Sequence, residues 1–299
     1  MKFAVLLSLL LGTASLLAQS DSEFHGVAGV RATGLAYSPE AEQERLGSGG
    51  VFLDMDFKSH GGFKFSFDST AIDYRTATRK QENQGSFSGR FYLPLEEVPG
   101  KLIFRVDGLR ANYQEASGVT RNLRATGFHV GYLSDLNPVM ASFYLDLGFT
   151  LSNYQTGLQV DQWTPTLGFG LNDNYDWISL SLDHTTLRSA LVPDWKEPHT
   201  SYQLGWSHFL KPGMALKPRS LRASLQLGEQ VYGVDSEGGV ANTLGHTQKG
   251  RWSVGLAWKG TSGVGFSLDG GQAQFKHSTT TVESVYVTNF LSTTLTFSW

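Results

Sequence analysis

From Val139 to Ser152 apolar and polar residues alternate almost without exception. Val139, Ala141, Phe143, Leu145, Leu147, Phe149 and Leu151 take the odd positions, with Met140, Ser142, Tyr144, Asp146, Gly148, Thr150 and Ser152 between them. A period of two belongs to an extended strand, whose successive side chains point to opposite faces. The rhythm returns at Leu221, Ala223, Leu225 and Leu227, interleaved with Arg222, Ser224, Gln226 and Gly228. It returns again at Trp252, Val254, Leu256 and Trp258, between Arg251, Ser253, Gly255 and Ala257. A helix would bury Arg222 or Arg251 among the leucines.

Carried along the chain, this pattern predicts fourteen strands, with twelve as the alternative, and an all-β fold. The predicted strands are 27–37, 50–58, 62–74, 85–94, 101–114, 122–133, 138–153, 161–172, 175–188, 200–210, 219–233, 250–259, 262–276 and 285–299. The first is the least regular, because Gly26, Gly29 and Gly34 interrupt it. Compact connections rich in turn formers, such as Asn172-Asp173-Asn174 and Gly260-Thr261-Ser262, alternate with more polar ones. The polar set is expected at 38–49, 75–84, 115–121, 154–160, 189–199, 234–249 and 277–284. Short turns at one end and long loops at the other describe an antiparallel meander. The 211–220 connection, with Pro212 and Pro218, is an oversized member of the short set.

The N-terminus departs from this rhythm. Lys2 precedes an apolar run from Phe3 to Leu17, and Ala18 leads into Gln19-Ser20-Asp21-Ser22-Glu23. This is the layout of a secretory signal peptide at 1–18, although Leu16 is larger than the usual residue at that distance from the cleavage point. The expected organisation is therefore a signal peptide followed by one domain, 19–299. No later segment offers the run of about 20 apolar residues that a membrane helix needs.

Composition narrows the function classes. Gly 34 and 12% aromatic residues suit a β-rich chain. Cys 0 excludes disulfides, thiolate metal sites and thiol catalysis. A formal net charge of -3, with no concentrated basic stretch, gives nucleic acid no footprint.

The face opposite the apolar one carries Gly, Ser, Thr, Asp and Arg, as a wet interior would. A β-sandwich or a periplasmic barrel would instead bury the apolar face. Tyr37, Tyr74, Phe91, Trp163, Trp177, Trp206, Trp252 and Trp258 fall near strand ends, where rings suit the membrane interfaces. A sheet in hydrocarbon must also close, because an open edge leaves backbone groups unpaired. The predicted fold is a single transmembrane antiparallel up-and-down β-barrel.

The last nine residues run Leu291-Ser292-Thr293-Thr294-Leu295-Thr296-Phe297-Ser298-Trp299. Alternate apolar residues ending on a terminal aromatic resemble the C-terminal assembly signal of bacterial outer-membrane β-barrel proteins, carried here by Leu295, Phe297 and Trp299. The length after residue 18 and the strand number are also similar to those of monomeric fourteen-stranded general porins. The resemblance implies residence in the cell outer membrane as a monomer and recognition by the barrel insertion machinery. It also implies contact with outer-membrane lipids and lipopolysaccharide.

Parity assigns to the interior Asp54, Asp56, Lys64, Asp68, Arg90, Arg105, Asp107, Arg124, His129, Asp146, Asp183, Arg222, Arg251 and Asp269. Both signs occur in similar number, which in a hydrated lumen sets the local field. The expected function is passive diffusion of small hydrophilic solutes. A sealed structural or surface-interaction barrel is the alternative, and a lipid-modifying barrel enzyme ranks below it. For such an enzyme the histidines to watch are His184 and His208, on the apolar parity, with Ser179, Ser181, Ser207 and Ser224 as possible nucleophiles. Serine is common on any wet strand face, so no catalytic residue is assigned. Gly47-Ser48-Gly49-Gly50 lacks the Lys-Ser/Thr of a phosphate loop, and Asp54-Met55-Asp56 lies in a strand rather than a calcium loop. No metal or cofactor is expected.

Overall fold

The computed structural model describes residues 24–57, 60–76, 79–95, 98–114, 122–134, 142–155, 157–189, 192–211, 218–235, 240–241, 246–260, 263–278 and 283–299. The expected signal peptide at 1–18 lies outside them. Sixteen strands occur among the described residues, and no helix. They are β1 (Phe24–Tyr37), β2 (Gln43–Phe57), β3 (Gly61–Tyr74), β4 (Arg79–Pro94), β5 (Gly100–Gln114), β6 (Leu123–Ser134), β7 (Ser142–Tyr154) and β8 (Leu158–Leu171). There follow β9 (Asp176–Ser189), β10 (Val192–Phe209), β11 (Ser220–Gln230), β12 (Val234–Asp235), β13 (Val240–Ala241), β14 (Thr247–Lys259), β15 (Val264–Ser278) and β16 (Glu283–Ser298).

Fourteen of them form one closed antiparallel ring in chain order, with β1 sealed against β16. β12 and β13 pair only with each other, in the connection between β11 and β14. The glycines of β1 serve the seam rather than weaken it. A Cβ on Gly26 would meet the Trp299 ring at 2.3 Å, and one on Gly29 would meet Phe52 at 2.4 Å. Gly26 and Trp299 exchange backbone hydrogen bonds of 3.0 Å in both directions.

Most of the predicted polar loops turn out to be strand. β2 begins at Gln43, β4 at Arg79, β8 at Leu158 and β10 at Val192, so 38–49, 75–84, 154–160 and 189–199 contract to 38–42, 75–78, 155–157 and 190–191. A membrane strand needs only about 9–11 residues to cross hydrocarbon. Beyond that belt the backbone ladder continues with polar side chains such as Arg45, Gln159 and Arg188 on the outer face, so the apolar-outside pattern is lost without breaking the hydrogen bonds. The connection between β11 and β14, 231–246, contains the paired β12 and β13, and the expected loop 115–121 lies outside the described residues. We call the end bearing 38–42, 75–78 and 231–246 the loop end, and the end bearing Phe24 and Trp299 the terminal end.

The outer face is apolar over a broad girdle. Phe65, Phe67, Phe87, Phe128, Val130, Leu145, Leu147, Leu180, Leu204, Val254 and Leu295 are all exposed. Soluble monomers tolerate apolar patches of about 300–600 Å². A girdle around a whole barrel is a surface for lipid. The buried side chains lie inside, at the loop end. Leu109, Ala111, Leu123, Ala125, Tyr154, Leu158, Val160 and Leu187 of β5–β9 pack with Val231, Tyr232 and Val234. Tyr37, Ala41, Ala273, Phe275 and Tyr286 form a second cluster across the β1–β16 seam.

Candidate functional site: the barrel lumen

Residues directly opposite on neighbouring strands share a face, so the register traces the inner wall. Asp54 stands opposite Lys64, Lys64 opposite Ser88, Ser88 opposite Asp107, and Asp107 opposite Gly127. The same ring continues through Thr150, Gln162 and Thr185. Asp54, Asp56, Lys64, Asp68, Arg90, Arg105, Asp107, His129, Asp146, Asp183, Arg222, Arg251 and Asp269 all lie on this inner face.

Arg124 does not. It is exposed between buried Leu123 and Ala125 and shares its parity with Phe128 and Val130, so its assignment to the interior is corrected. The sequence signal was present: His129 is inward, and Arg124, five residues away, must face the other way. What misled was the expectation that an arginine avoids the outer wall, which fails once a strand rises above the apolar belt.

The inner charges are organised into local groups. Arg31 Nε donates to Asp68 Oδ1 at 2.6 Å and its Nη2 donates to Asp68 Oδ2, a bidentate pair. Arg90 pairs with Asp54 and stands 3.7 Å from Asp56, whose other partner is the Tyr92 hydroxyl at 2.7 Å. Arg105 Nε donates to Asp107 at 3.1 Å, and Arg105 Nη2 reaches the His129 ring at 3.0 Å. His129 Nδ1 in turn lies 2.8 Å from Asp146 Oδ2. Arg222 Nη2 donates to Asp269 at 2.9 Å. Arg251 lies over the Phe290 ring, 4.4 Å from its centroid. Arg31–Asp68 and Arg222–Asp269 are balanced pairs, whereas Arg90 faces two carboxylates and Asp107 and Asp146 flank the Arg105–His129 contact.

A cavity of about 560 Å³ occupies the interior beside β5–β11 and β14. Its lining is polar: Arg105, His129, Asp146, Thr164, Ser179, Ser181, Asp183, Gln203 and Arg251 among others. Toward the loop end it meets Val234 and Asp235 of the inward-folded connection. That connection leaves the wall at Gly228, whose φ of 98° sits where the β11–β14 register shifts between Leu227 and Gln230. A Cβ there would lie 2.4 Å from the Thr200 carbonyl oxygen, so the bulge requires glycine.

A glutamine network then holds the connection. Gln162 accepts from Val234 N at 2.8 Å and donates to Val234 O at 3.0 Å and to Asp183 at 2.9 Å. Gln230 donates to Asp183 at 2.7 Å, and Gln248 donates to Gln226 at 2.6 Å. Sequence reasoning passed over these glutamines and Arg31. An amide on alternate positions reads as merely polar, and Arg31 lies on β1, where Gly26, Gly29 and Gly34 obscure the alternation.

The hydrolase pairing does not form. His184 and His208 lie on the outer face, opposite Trp163 and Leu221 respectively. Ser179, Ser181, Ser207 and Ser224 are on the inner face, with Ser207 opposite Arg222 and Ser224 opposite Ser253. His184 meets Thr200 at 2.8 Å, and His208 meets Asp176 at 2.8 Å beside the Trp206 indole.

No protein-family model and no curated protein sequence matches the chain. Solved structures do match it. A deltaS2 mutant of the monoaromatic hydrocarbon channel TodX aligns over 95% of this chain and 92% of its own with a TM-score of 0.55 at 9% identity. The likeness is one of fold. The TodX deltaS2S3 mutant gives 0.54 at 8% identity over the same shares. The Acinetobacter baumannii outer membrane protein Omp33 aligns over 92% of this chain and 99% of its own at 12% identity, with a TM-score of 0.48. What the chain shares with the two TodX structures is the fold, here a closed fourteen-stranded antiparallel β-barrel.

Proposed function

We propose that the protein is an outer-membrane channel for passive diffusion of small hydrophilic solutes, acting as a monomer and without catalysis. The observation that carries this is the polar, charge-lined cavity inside a fourteen-stranded ring. Side chains alone fill a barrel of about eight strands, and the diameter grows with strand number. A fourteen-stranded ring therefore encloses more space than its own wall fills. The monoaromatic hydrocarbons that TodX conducts are not assigned to this chain, because Asp, Arg, Gln, Ser and Thr line the space here.

A second reading, a sealed barrel, is favoured by the two apolar clusters at the loop end, which place dry packing across part of the lumen. The inward-packed 231–235 segment reconciles both readings as a channel in its closed state. The test is single-channel recording of the refolded 19–299 chain in planar bilayers. Discrete conductance steps are expected, larger or more frequent when 236–245 is deleted. A folded barrel that conducts in neither form would establish the sealed reading.

A further inference from the structure

Arg124 belongs to a row that crosses the outer wall at the loop end. Arg110 stands directly opposite Arg124, Arg124 opposite Asn153, Asn153 opposite Gln159, and Gln159 opposite Arg188. All five are exposed. Arg188 has an acidic neighbour on the same face, Asp161 at 2.5 Å. Among the described residues Arg110 and Arg124 have neither a hydrogen-bond nor an ion-pair partner. Like charges directly opposite on adjacent strands destabilise a sheet. The inner side of this wall is no help, because Leu109, Ala111, Leu123 and Ala125 seal it with buried apolar packing.

What lies below the two arginines defines a ligand. Along β5 and β6, the next large side chains on the outer face are Val106, Phe128 and Val130, all exposed. Phe128 is four residues from Arg124, about 13 Å along the strand at roughly 3.3 Å per residue. Strand tilt shortens that rise to about 10 Å, and an arginine side chain reaches back toward the belt. The headgroup layer lies at this height, outside a hydrocarbon core of about 30 Å. At the terminal end the outer wall carries Phe91, Trp206 and Phe266 instead.

We propose that Arg110 and Arg124 bind the phosphoryl group of an outer-leaflet phosphorylated glycolipid of the lipopolysaccharide class, with its acyl chains against Val106, Phe128 and Val130. This rests on the outer-membrane reading above, with the loop end outward. Two guanidinium forks about 5 Å apart at their Cβ atoms grip one phosphoryl group by paired charge-assisted bonds. The bound anion also removes the repulsion between them. Free phosphate would gain only the head interaction, screened by water and salt, whereas a lipid gains the apolar strip as well.

The test is equilibrium binding of fluorescent bis-phosphorylated lipid A to the detergent-solubilised barrel. The comparison is with Arg110→Gln/Arg124→Gln, Arg124→Lys and the inner-face control Arg222→Gln. Charge-assisted bonds contribute about 1.5–3 kcal/mol each, so the double variant should bind at least about tenfold more weakly. Arg124→Lys should fall between it and the parent, and Arg222→Gln should match the parent. Dephosphorylated lipid A should bind the parent as weakly as phosphorylated lipid binds the double variant. Millimolar inorganic phosphate should not displace the lipid.

Equal binding by parent and double variant, or by the two lipid forms, would overturn the site. Equal binding of phosphatidylglycerol would overturn the glycolipid assignment. Conductance of the double variant should equal that of the parent, because both arginines face away from the lumen. A non-conducting parent that still selects phosphorylated lipid would therefore refute the channel and keep the site.

Discussion

Gln162→Ala removes the side chain that fastens the inward connection to the wall. Gln162 is almost wholly buried and makes two hydrogen bonds to the backbone of Val234, at 2.8 and 3.0 Å. Neutral bonds of this kind contribute about 1 kcal/mol each, and a buried amide left unpaired costs about 1–3 kcal/mol. The third bond, to Asp183, matters less, because Gln230 still donates to that carboxylate and the cavity alongside has room for water. Docking of Val234 should therefore weaken by about 2–3 kcal/mol, roughly 30- to 150-fold in the docked-to-released ratio. Tyr232, packed edge-on against Tyr154 at 5.6 Å, shares the remaining hold with buried Val231 and Val234, so Tyr232→Ser should add to the effect.

The assay is the closed dwell time in planar bilayers, with the shift in gel mobility between unheated and boiled samples confirming the fold. Gln162→Glu sharpens the test: it keeps an acceptor for Val234 N but sets a second carboxylate beside Asp183 and a lone pair against Val234 O. It should release the connection at least as fully as alanine. Unchanged dwell times in both variants, with intact barrels, would refute the role given to Gln162.

Other consequences follow from the faces and ends of the barrel. A cysteine at Glu40, in the loop-end connection, should react with an impermeant maleimide on intact cells, whereas one at Lys211, at the terminal end, should not; the reverse pattern would invert the orientation. Leu147→Arg puts a charge on a half-exposed outer position midway along β7 and should cost about 2–4 kcal/mol in refolding titrations. Its neighbour Asp146→Asn should cost less, because the amide oxygen can still accept from His129; equal losses would indicate a buried core instead of a lipid face. Arg222→Glu leaves two carboxylates facing each other where Arg222 now meets Asp269, and should shift reversal potentials toward cation selectivity in a salt gradient. An unshifted potential in a conducting variant would remove Arg222 from the ion path.

How far the fold was legible follows from what each signal reports. Alternation reports a strand with two different environments, so β7 and β14, apolar outside and polar within, were plain in the sequence. Gln43 to Gly49 and Lys80 to Gln84 are mostly polar at both odd and even positions, and there alternation vanishes although the ladder persists. Those segments read as loops. β1 looked weak because its glycines were judged as missing side chains. Their use is seen only when Trp299 and Phe52 are placed against them, and no local window contains those partners.

The site divides along a similar line. Period two placed the inner charges because a strand fixes the facing of every second residue relative to its neighbours, and a single secure position such as His129 fixes the whole strand. Applied strictly, that rule excludes Arg124, and the error came from letting residue type override geometry. The connection folded into the lumen was beyond such reasoning, since 231–235 has no alternation and its partners are spread over β5 to β9. What the sequence did carry was an excess of amides, Gln162, Gln226, Gln230 and Gln248, at wall positions where serine or threonine would have served a merely wet surface. Amides both donate and accept, so they can satisfy an incoming backbone that a carboxylate or an ammonium cannot. A run of glutamines on the inner face of a barrel is therefore a signal that chain, and not only water, is bound there.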